Sequence, residues 1–143
     1  MSFDVRAFNG DVELGQNGDF MTVTDSDKLA QDIIKLLNTP IGTNPLNPGY
    51  GSTLTVNQIG TSILSAADLI DQTKTTITQA LEQLISQQNA QSAIQPLTDA
   101  ETLVDFETPI VEQDPQEPRR FNIAVNAISR GLTPLTIALV VRF

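Results

Sequence analysis

The stretch Gly18 to Gly51, GDFMTVTDSDKLAQDIIKLLNTPIGTNPLNPGYG, constrains the fold of this chain more than any other. It reads as a short strand, an amphipathic helix and a loop carrying Gly42, Pro45, Pro48, Gly49 and Gly51. The loop from Thr39 to Gly51 holds three prolines and three glycines. Proline fixes φ and glycine takes backbone angles that other residues avoid, so this composition specifies a defined shape. Tyr50 suits an anchor, its ring buried and its hydroxyl wet. The glycine spacing is not that of a phosphate-binding loop, and no lysine follows it. With no catalytic group in the loop, Pro45, Asn47, Pro48 and Gly51 are the expected contacts of a surface that docks on another protein.

The helix in that stretch is expected from Asp25 or Ser26 to about Asn38. Asp25, Ser26 and Asp27 suit the orphan amides and dipole of its N-terminus. Leu29, Ile33, Leu36 and Leu37 fall on one face, widened by Ala30 and Ile34, before Asn38, Thr39 and Pro40 end it. Upstream, Asn9-Gly10 and Asn17-Gly18 are turn dipeptides, and Val12, Leu14, Phe20 and Val23 fit short strands. Such a hairpin must pack on something. A longer helix is expected from Ser62 to about Gln95, with a break near Gln87 to Asn89. Its buried stripe is Ala67, Ile70, Ile77, Leu81 and Leu84, with Ile85 beside it. Thr73, Thr75, Thr76 and Thr78 are poor helix formers, so tertiary packing must hold that section. The Gln-rich piece from Gln87 to Gln91 reads as solvated helix, and Pro96 closes the segment.

The last third is β. Glu101 to Val111 fits one strand interrupted by Pro109, as at an edge. Phe121, Ile123, Val125 and Ala127 share a face, with Asn122 and Asn126 opposite. Ser129-Arg130-Gly131 is a turn, after which Leu135, Ile137, Leu139, Val141 and Phe143 alternate. Ala138 and Val140 make the second face apolar too, so this strand is expected to be covered on both sides or extended by a partner. The fold class that follows is α+β: two helices packed on a mainly antiparallel sheet, one domain over 1–143 with a C-terminal β-hairpin. Within it, 1–24 forms the N-terminal hairpin, 25–96 the helical part with its loop at 39–51, and 97–143 the C-terminal strands.

Composition removes most chemistry. Hydrophobic residues at 40% suffice for a core when placed periodically, so the chain is not expected to be disordered. Cysteine and histidine are absent, which removes thiolates, disulfides, the commonest neutral-pH base and the commonest transition-metal ligand. No catalytic, cofactor-binding or metal-binding residue is assigned. The formal charge of −9 argues against nucleic acid as a partner. Residues 97 to 117 carry seven acids and no base, whereas residues 118 to 143 carry four arginines and no acid. The plainer reading pairs the two segments in one sheet; the sharper one turns the arginines toward an acidic partner. Asp4 and Arg6 interrupt the place of a signal peptide's apolar run, and no apolar run approaches the ~20 residues of a membrane span. The expectation is a soluble protein made in the cytoplasm, with no membrane partner.

Gly18-Asp19-Phe20, Gln31-Asp32-Ile33, Leu37, Thr39, Gly42, Asn47-Pro48 and Gly51 together resemble the gene-twenty-five-like family of contractile phage tails. These are baseplate wedge proteins that initiate the tail sheath, with relatives in type VI secretion baseplates. The resemblance covers most of the chain in order. It implies a structural protein of the virion tail baseplate, assembled in the host cytoplasm. Its partners would be wedge proteins and the tail sheath protein, with tube or hub proteins as further neighbours. The family carries a Glu-Pro-Arg motif that helps hold the wedge together, matched here by Glu117, Pro118 and Arg119. The sequence departs in placing this motif roughly twenty residues beyond the long helix, where the family keeps it close. The resemblance also implies that the terminal hairpin, here Leu135, Ile137, Leu139, Val141 and Phe143, meets sheath arms by strand addition.

Two rival functions remain at this level. Members of the family are often labelled tail lysozymes, and glycoside hydrolysis needs two carboxylates about 5 to 9 Å apart. Glu101, Asp105 and Glu107 are available, but they are expected to be solvated, and the chain has no tryptophan and one tyrosine to stack on sugars. The other rival is a small regulatory adaptor of the same fold, for which the loop and Glu117-Pro118-Arg119 would have no purpose.

Overall fold

The computed structural model describes residues 3–8, 11–54 and 65–143. The architecture is α+β, with two helices on one face of an antiparallel sheet and a C-terminal hairpin. Strand β7 (Arg120–Ser129) is the centre of the sheet, and β8 (Pro134–Arg142) pairs with it over nine residues. Its other edge is shared end to end by β6 (Ile110–Gln113), opposite Phe121 to Ala124, and β5 (Leu103–Phe106), opposite Ala127 to Ser129. The alternation read from sequence holds. Phe121, Ile123, Val125 and Ala127 are buried, as are Ile137 and Val141, while Asn122, Thr136, Ala138 and Val140 face outward.

One expected strand is in fact three pieces. Asp99–Glu101 is a single 3-10 turn, and β5 and β6 are separate strands joined across Glu107 to Pro109. Glu101 is not solvated but 1% exposed. The reason is a reciprocal cap in which the Thr98 N–H donates to Glu101 Oε1 at 3.1 Å and the Thr98 side chain accepts from the Glu101 N–H. Pro109 is buried in the link, where no ladder bond is required of it.

Helix α1 (Asp25–Asn38) has the expected bounds and buries Leu29, Ile33, Leu36 and Leu37. Its N-terminus is not side-chain capped: Thr24 is the cap residue, and Asp25 adopts a φ of 54° while its Oδ1 accepts from Thr98 Oγ at 3.0 Å. Helix α2 (Ala66–Ser92) is continuous through Gln87 to Asn89, and the expected start at Ser62 lies outside the described residues. Ser65 caps it, accepting from the Asp68 N–H at 3.2 Å. Ala67 is exposed, and the buried stripe runs through Leu69, Thr73, Thr76, Ile77, Ala80, Leu81, Leu84 and Gln88. The threonines are tolerated because two of them lie in this packed stripe. Helix α2 packs over β5 and β6, and α1 over β8.

Gln88 corrects the reading of the Gln-rich piece as solvated. It is 5% exposed; its Nε2 donates to the Glu101 carbonyl at 3.1 Å and its Oε1 accepts from the Leu103 N–H at 2.8 Å. One amide thereby satisfies two buried backbone groups at the entry to β5, where no sheet neighbour does so. Replacing it takes one partner from the Glu101 carbonyl and leaves the Leu103 N–H desolvated, the latter at about 1–3 kcal/mol. Gln88→Leu is therefore expected to lower the thermal midpoint by more than 5 °C, at about 4–8 °C per kcal/mol for a small domain. An unchanged midpoint would remove this joint from the account of the fold.

At the other end, β1 (Asp4–Val5) pairs with β4 (Thr22–Val23), and β2 (Ala7–Phe8) with β3 (Asp11–Val12). Asn17-Gly18 forms its turn, with Gly18 at φ 79°, whereas Asn9-Gly10 lies outside the described residues. This region buries little: Val12, Leu14 and Phe20 are exposed and Val23 alone among the expected apolar positions is buried. It is held to α1 by polar contacts instead.

Candidate protein-docking site

Gln31 supplies most of that attachment. Its Oε1 accepts from the Ala7 N–H at 2.9 Å, and its Nε2 donates to the Val5 carbonyl at 2.9 Å and to Asp4 Oδ2 at 3.0 Å. Lys35 pairs with the same Asp4 carboxylate. Burial by itself would raise the Asp4 carboxyl, but the hydrogen bond and charge of Lys35, with Gln31 and the Val5 N–H, hold it below its ordinary value. One turn away the balance reverses. Burial raises the Asp32 carboxyl from its ordinary value despite a 2.6 Å bond from Lys28. Burial also raises the Tyr50 hydroxyl, with Asp32 and Asp4 adding to the shift.

The attached N-terminal strands form one wall of a groove of about 890 Å³. Ala30, Ile34 and Lys35 of α1 line it, Arg6, Ala7 and Val23 face it from the N-terminal strands, and Ala138 and Leu139 of β8 close it. Ala30 and Ile34, which the sequence places beside the buried stripe, thus line the groove.

The hydrogen-bond register decides what β8 offers there. Phe143 N–H donates to Arg119 O at 2.9 Å, and Ser129 N–H to Thr133 O at 3.2 Å. Both are directly opposed pairs, so the odd-numbered residues of β8 aim their backbone groups at β7. The even-numbered residues aim theirs away. Thr136, Ala138, Val140 and Arg142 present N–H groups, and these with Pro134 present carbonyls, that no hydrogen bond takes up among the described residues. On the sheet's outer face, Val140 and Ile110 are 49% and 48% exposed, with Ala138 beside them. Of the terminal-hairpin residues singled out from sequence, Ile137 and Val141 are buried, and Leu135, Leu139 and Phe143 are half-buried on the core side. Their even-numbered neighbours carry the open edge.

Glu117, Pro118 and Arg119 form the turn between β6 and β7, so two short strands do separate the motif from α2. Glu117 Oε1 lies 3.1 Å from Arg142 Nε on the exposed surface, and Gln113 Nε2 donates to Pro118 O at 2.8 Å. Arg120, next in sequence, has its Nε buried and 3.7 Å from Asp114 Oδ2, an ion pair without a hydrogen bond. The acidic and basic segments therefore do pair within one sheet. Arg119 and Arg130 stay exposed and make no ion pair among the described residues.

The loop after α1 is closed at its base by a parallel bridge between Pro40 and Ser52. Ser52 N–H donates to Thr39 O at 2.8 Å, and Ser52 Oγ to Leu37 O at 2.7 Å. Gly51 is buried with φ 119°, and a Cβ there would lie 2.5 Å from Thr39 O, so its contribution is to the base of the loop. Pro45, Asn47 and Pro48 are exposed at the tip, and Tyr50 packs half-buried against the core as expected. Sequence reasoning passed over Leu46 between them, which is 96% exposed.

The acids weighed for hydrolysis do not converge. Glu101 is interior, whereas Asp105 and Glu107 are exposed; Asp105 Oδ1 accepts from the Phe106 N–H, and Glu107 Oε2 from Asn126 Nδ2. Among the described residues no cluster of three acids fit to hold a metal occurs, and no helix is long and apolar enough to cross a membrane.

No protein-family model matches the chain, and no curated protein matches it in sequence. A solved structure similar to it is that of a candidate tail lysozyme from Geobacter sulfurreducens. The two are 13% identical, with a TM-score of 0.62 over 86% of this chain and 96% of the other. The likeness shows a shared fold over nearly the whole of both chains.

The electrostatics of the groove wall can be measured directly. Lys35→Met removes the main opposing charge while leaving the burial, so the Asp4 pKa should rise, as read by NMR titration. The sign for stability follows. A depressed carboxyl stabilises the fold above its unfolded pKa and loses that contribution as pH falls through the folded one. The wild-type protein should therefore lose stability on acidification through the range below about pH 3.9, and Lys35→Met should show a weaker limb there.

Proposed function

We propose that this chain is a structural component of a contractile tail baseplate, joining wedge neighbours to the first ring of sheath subunits. The observation that carries this reading is the open edge of β8 beside a ready-made groove. An incoming extended segment gains main-chain hydrogen bonds from the even-numbered residues whatever its own sequence, and its inward side chains meet Ala30, Ile34 and Val23. A groove that runs beside an open strand edge suits one added extended segment. This is an arm, not a globular surface. The same edge repeated around a ring would template a polymer. Likeness in fold to a protein described as a tail lysozyme supports a place in a tail. The buried, capped Glu101 and the solvated Asp105 and Glu107 give a hydrolase reading no comparable support.

Ala138→Pro isolates the edge. The Ala138 N–H faces away from β7, so proline removes an outward donor without removing a ladder bond. Baseplates carrying it should form but bear no sheath in electron micrographs, while the purified protein keeps its circular-dichroism spectrum. Normal sheath polymerisation on such baseplates would refute the strand-addition reading.

Arg119 is the better test of the wedge contact. Its side chain is exposed and makes no ion pair among the described residues, so Arg119→Ala should leave stability within about 0.5 kcal/mol of wild type. Baseplate assembly, scored as intact particles per cell, should nevertheless fall. Unchanged particle yield would make Glu117-Pro118-Arg119 a turn and nothing more.

A further inference from the structure

We infer that Leu46 is the anchor of a second protein–protein contact, entering an uncharged apolar socket on a folded partner. This contact is separate from the β8 edge; it rests on the baseplate reading only for the particle in which the partner is sought. The first observation is a gap in charge. From Leu36 to Ala67, between Lys35 and Asp68, 32 consecutive residues carry no acidic or basic side chain. At the chain's overall 17% charged residues, such a stretch would hold about five or six. Depletion of charge marks the centre of protein interfaces, where desolvating an ion is costly.

The second observation is where that stretch puts the most exposed large apolar side chain among its described residues. Leu46 stands at 96% exposure on the loop tip, between Pro45 and Asn47-Pro48. The backbone that carries it is fixed. Asn44 Oδ1 accepts from the N–H of Leu46 at 3.0 Å, Gly42 N–H donates to Pro48 O at 3.1 Å, and Tyr50 N–H to Asn47 O at 3.0 Å. Gln83 Nε2, from α2, binds Gly49 O and ties the loop to the helix. A loop backbone held in place before binding loses little freedom on docking, so burial of the side chain it carries converts more efficiently into affinity. Within its own chain Leu46 stabilises nothing, since it buries almost no surface.

The chemistry favours a protein over a lipid surface. The tip residues Asn44, Pro45, Leu46, Asn47 and Pro48 include no cation and no aromatic ring to sit at a headgroup, and the chain's −9 charge opposes anionic lipid. The partner is therefore a protein face with a leucine-sized apolar socket and, like the loop, no charge at its centre.

The test places photoreactive benzoylphenylalanine at position 46 of the full chain in producing cells, with the same probe at exposed Glu82 as control. A single heteromeric adduct at 46, absent at 82 and identified by mass spectrometry, is expected. In a pull-down with that identified partner, Leu46→Asp should bind about tenfold to a hundredfold more weakly and Leu46→Met within about threefold of wild type. Only self-adducts, only lipid adducts, no adduct, or full affinity in Leu46→Asp would each overturn the proposal. An adduct with a protein absent from the tail particle would sink the baseplate reading while sustaining this one. Retention of the 46 adduct in Ala138→Pro shows that the two contacts are independent, as proposed; its loss in that folded variant would overturn their separation.

Discussion

The ladder between β7 and β8 is the constraint on which the rest of the molecule depends. Its nine opposed pairs assign every residue of β8 to one of two roles. Odd-numbered residues bond to β7 and send side chains to the core, where Ile137 and Val141 meet the helices. Even-numbered residues send side chains to the outer face and backbone groups to the open edge. Because strand periodicity is two, these roles cannot be exchanged piecemeal; a one-residue slip would expose the core set and bury Thr136 and Arg142. The core and the open edge are thus two readings of one register. The Phe121 and Phe143 rings, edge to face at 5.3 Å, pin that register at the far end of the hairpin.

Around this sheet, the parts that apolar packing does not reach are attached by glutamine amides. Gln31 holds the N-terminal strands to α1, Gln88 holds the 3-10 turn and the start of β5 to α2, and Gln83 holds the loop to the same helix. An amide offers both a donor and an acceptor without the desolvation cost of a charge, so one side chain can splice two backbone groups that have no strand partner. The exposed ion pairs, such as Arg6 with Glu13 or Arg142 with Glu117, contribute at most a fraction of this, since solvent screens them.

That division explains what the sequence discloses. Helix α1 and strands β7 and β8 are legible because their cohesion is apolar, and burial of apolar side chains imposes a period visible locally. Gln88 was unreadable for the opposite reason. Its partners lie 13 and 15 residues away, and nothing in a run of glutamines tells a splicing amide from a solvated one. Glu101 was misread alike, since its burial follows from Thr98 three residues earlier and from packing, not from alternation. The residues carrying the family resemblance mostly prove to be joints: Gln31 binds the N-terminal strands, Thr39 and Gly51 close the loop base, and Gly42 turns it at φ 85°. They therefore speak for the fold first. Of the candidate site, the terminal hairpin and the loop were legible as elements, but which residues carry the open edge needed the hydrogen-bond register, and the exposure of Leu46 needed the loop's geometry.

An unpaired edge without a bulge or an internal charge invites association with any other strand, and natural sheets rarely leave one bare. Here the protection is geometric. The outward groups of β8 lie beside a groove walled by α1 and by the strands that Gln31 and Lys35 hold in place. A second folded copy would bring its own helix and N-terminal strands toward that edge together with its β8. Its charge of −9 opposes the approach at longer range. A slender extended segment meets neither obstacle. Under the proposed reading, selectivity for an arm over a sheet would arise from the wall, and the wall exists because one glutamine and one lysine fasten a hairpin too apolar-poor to pack by itself.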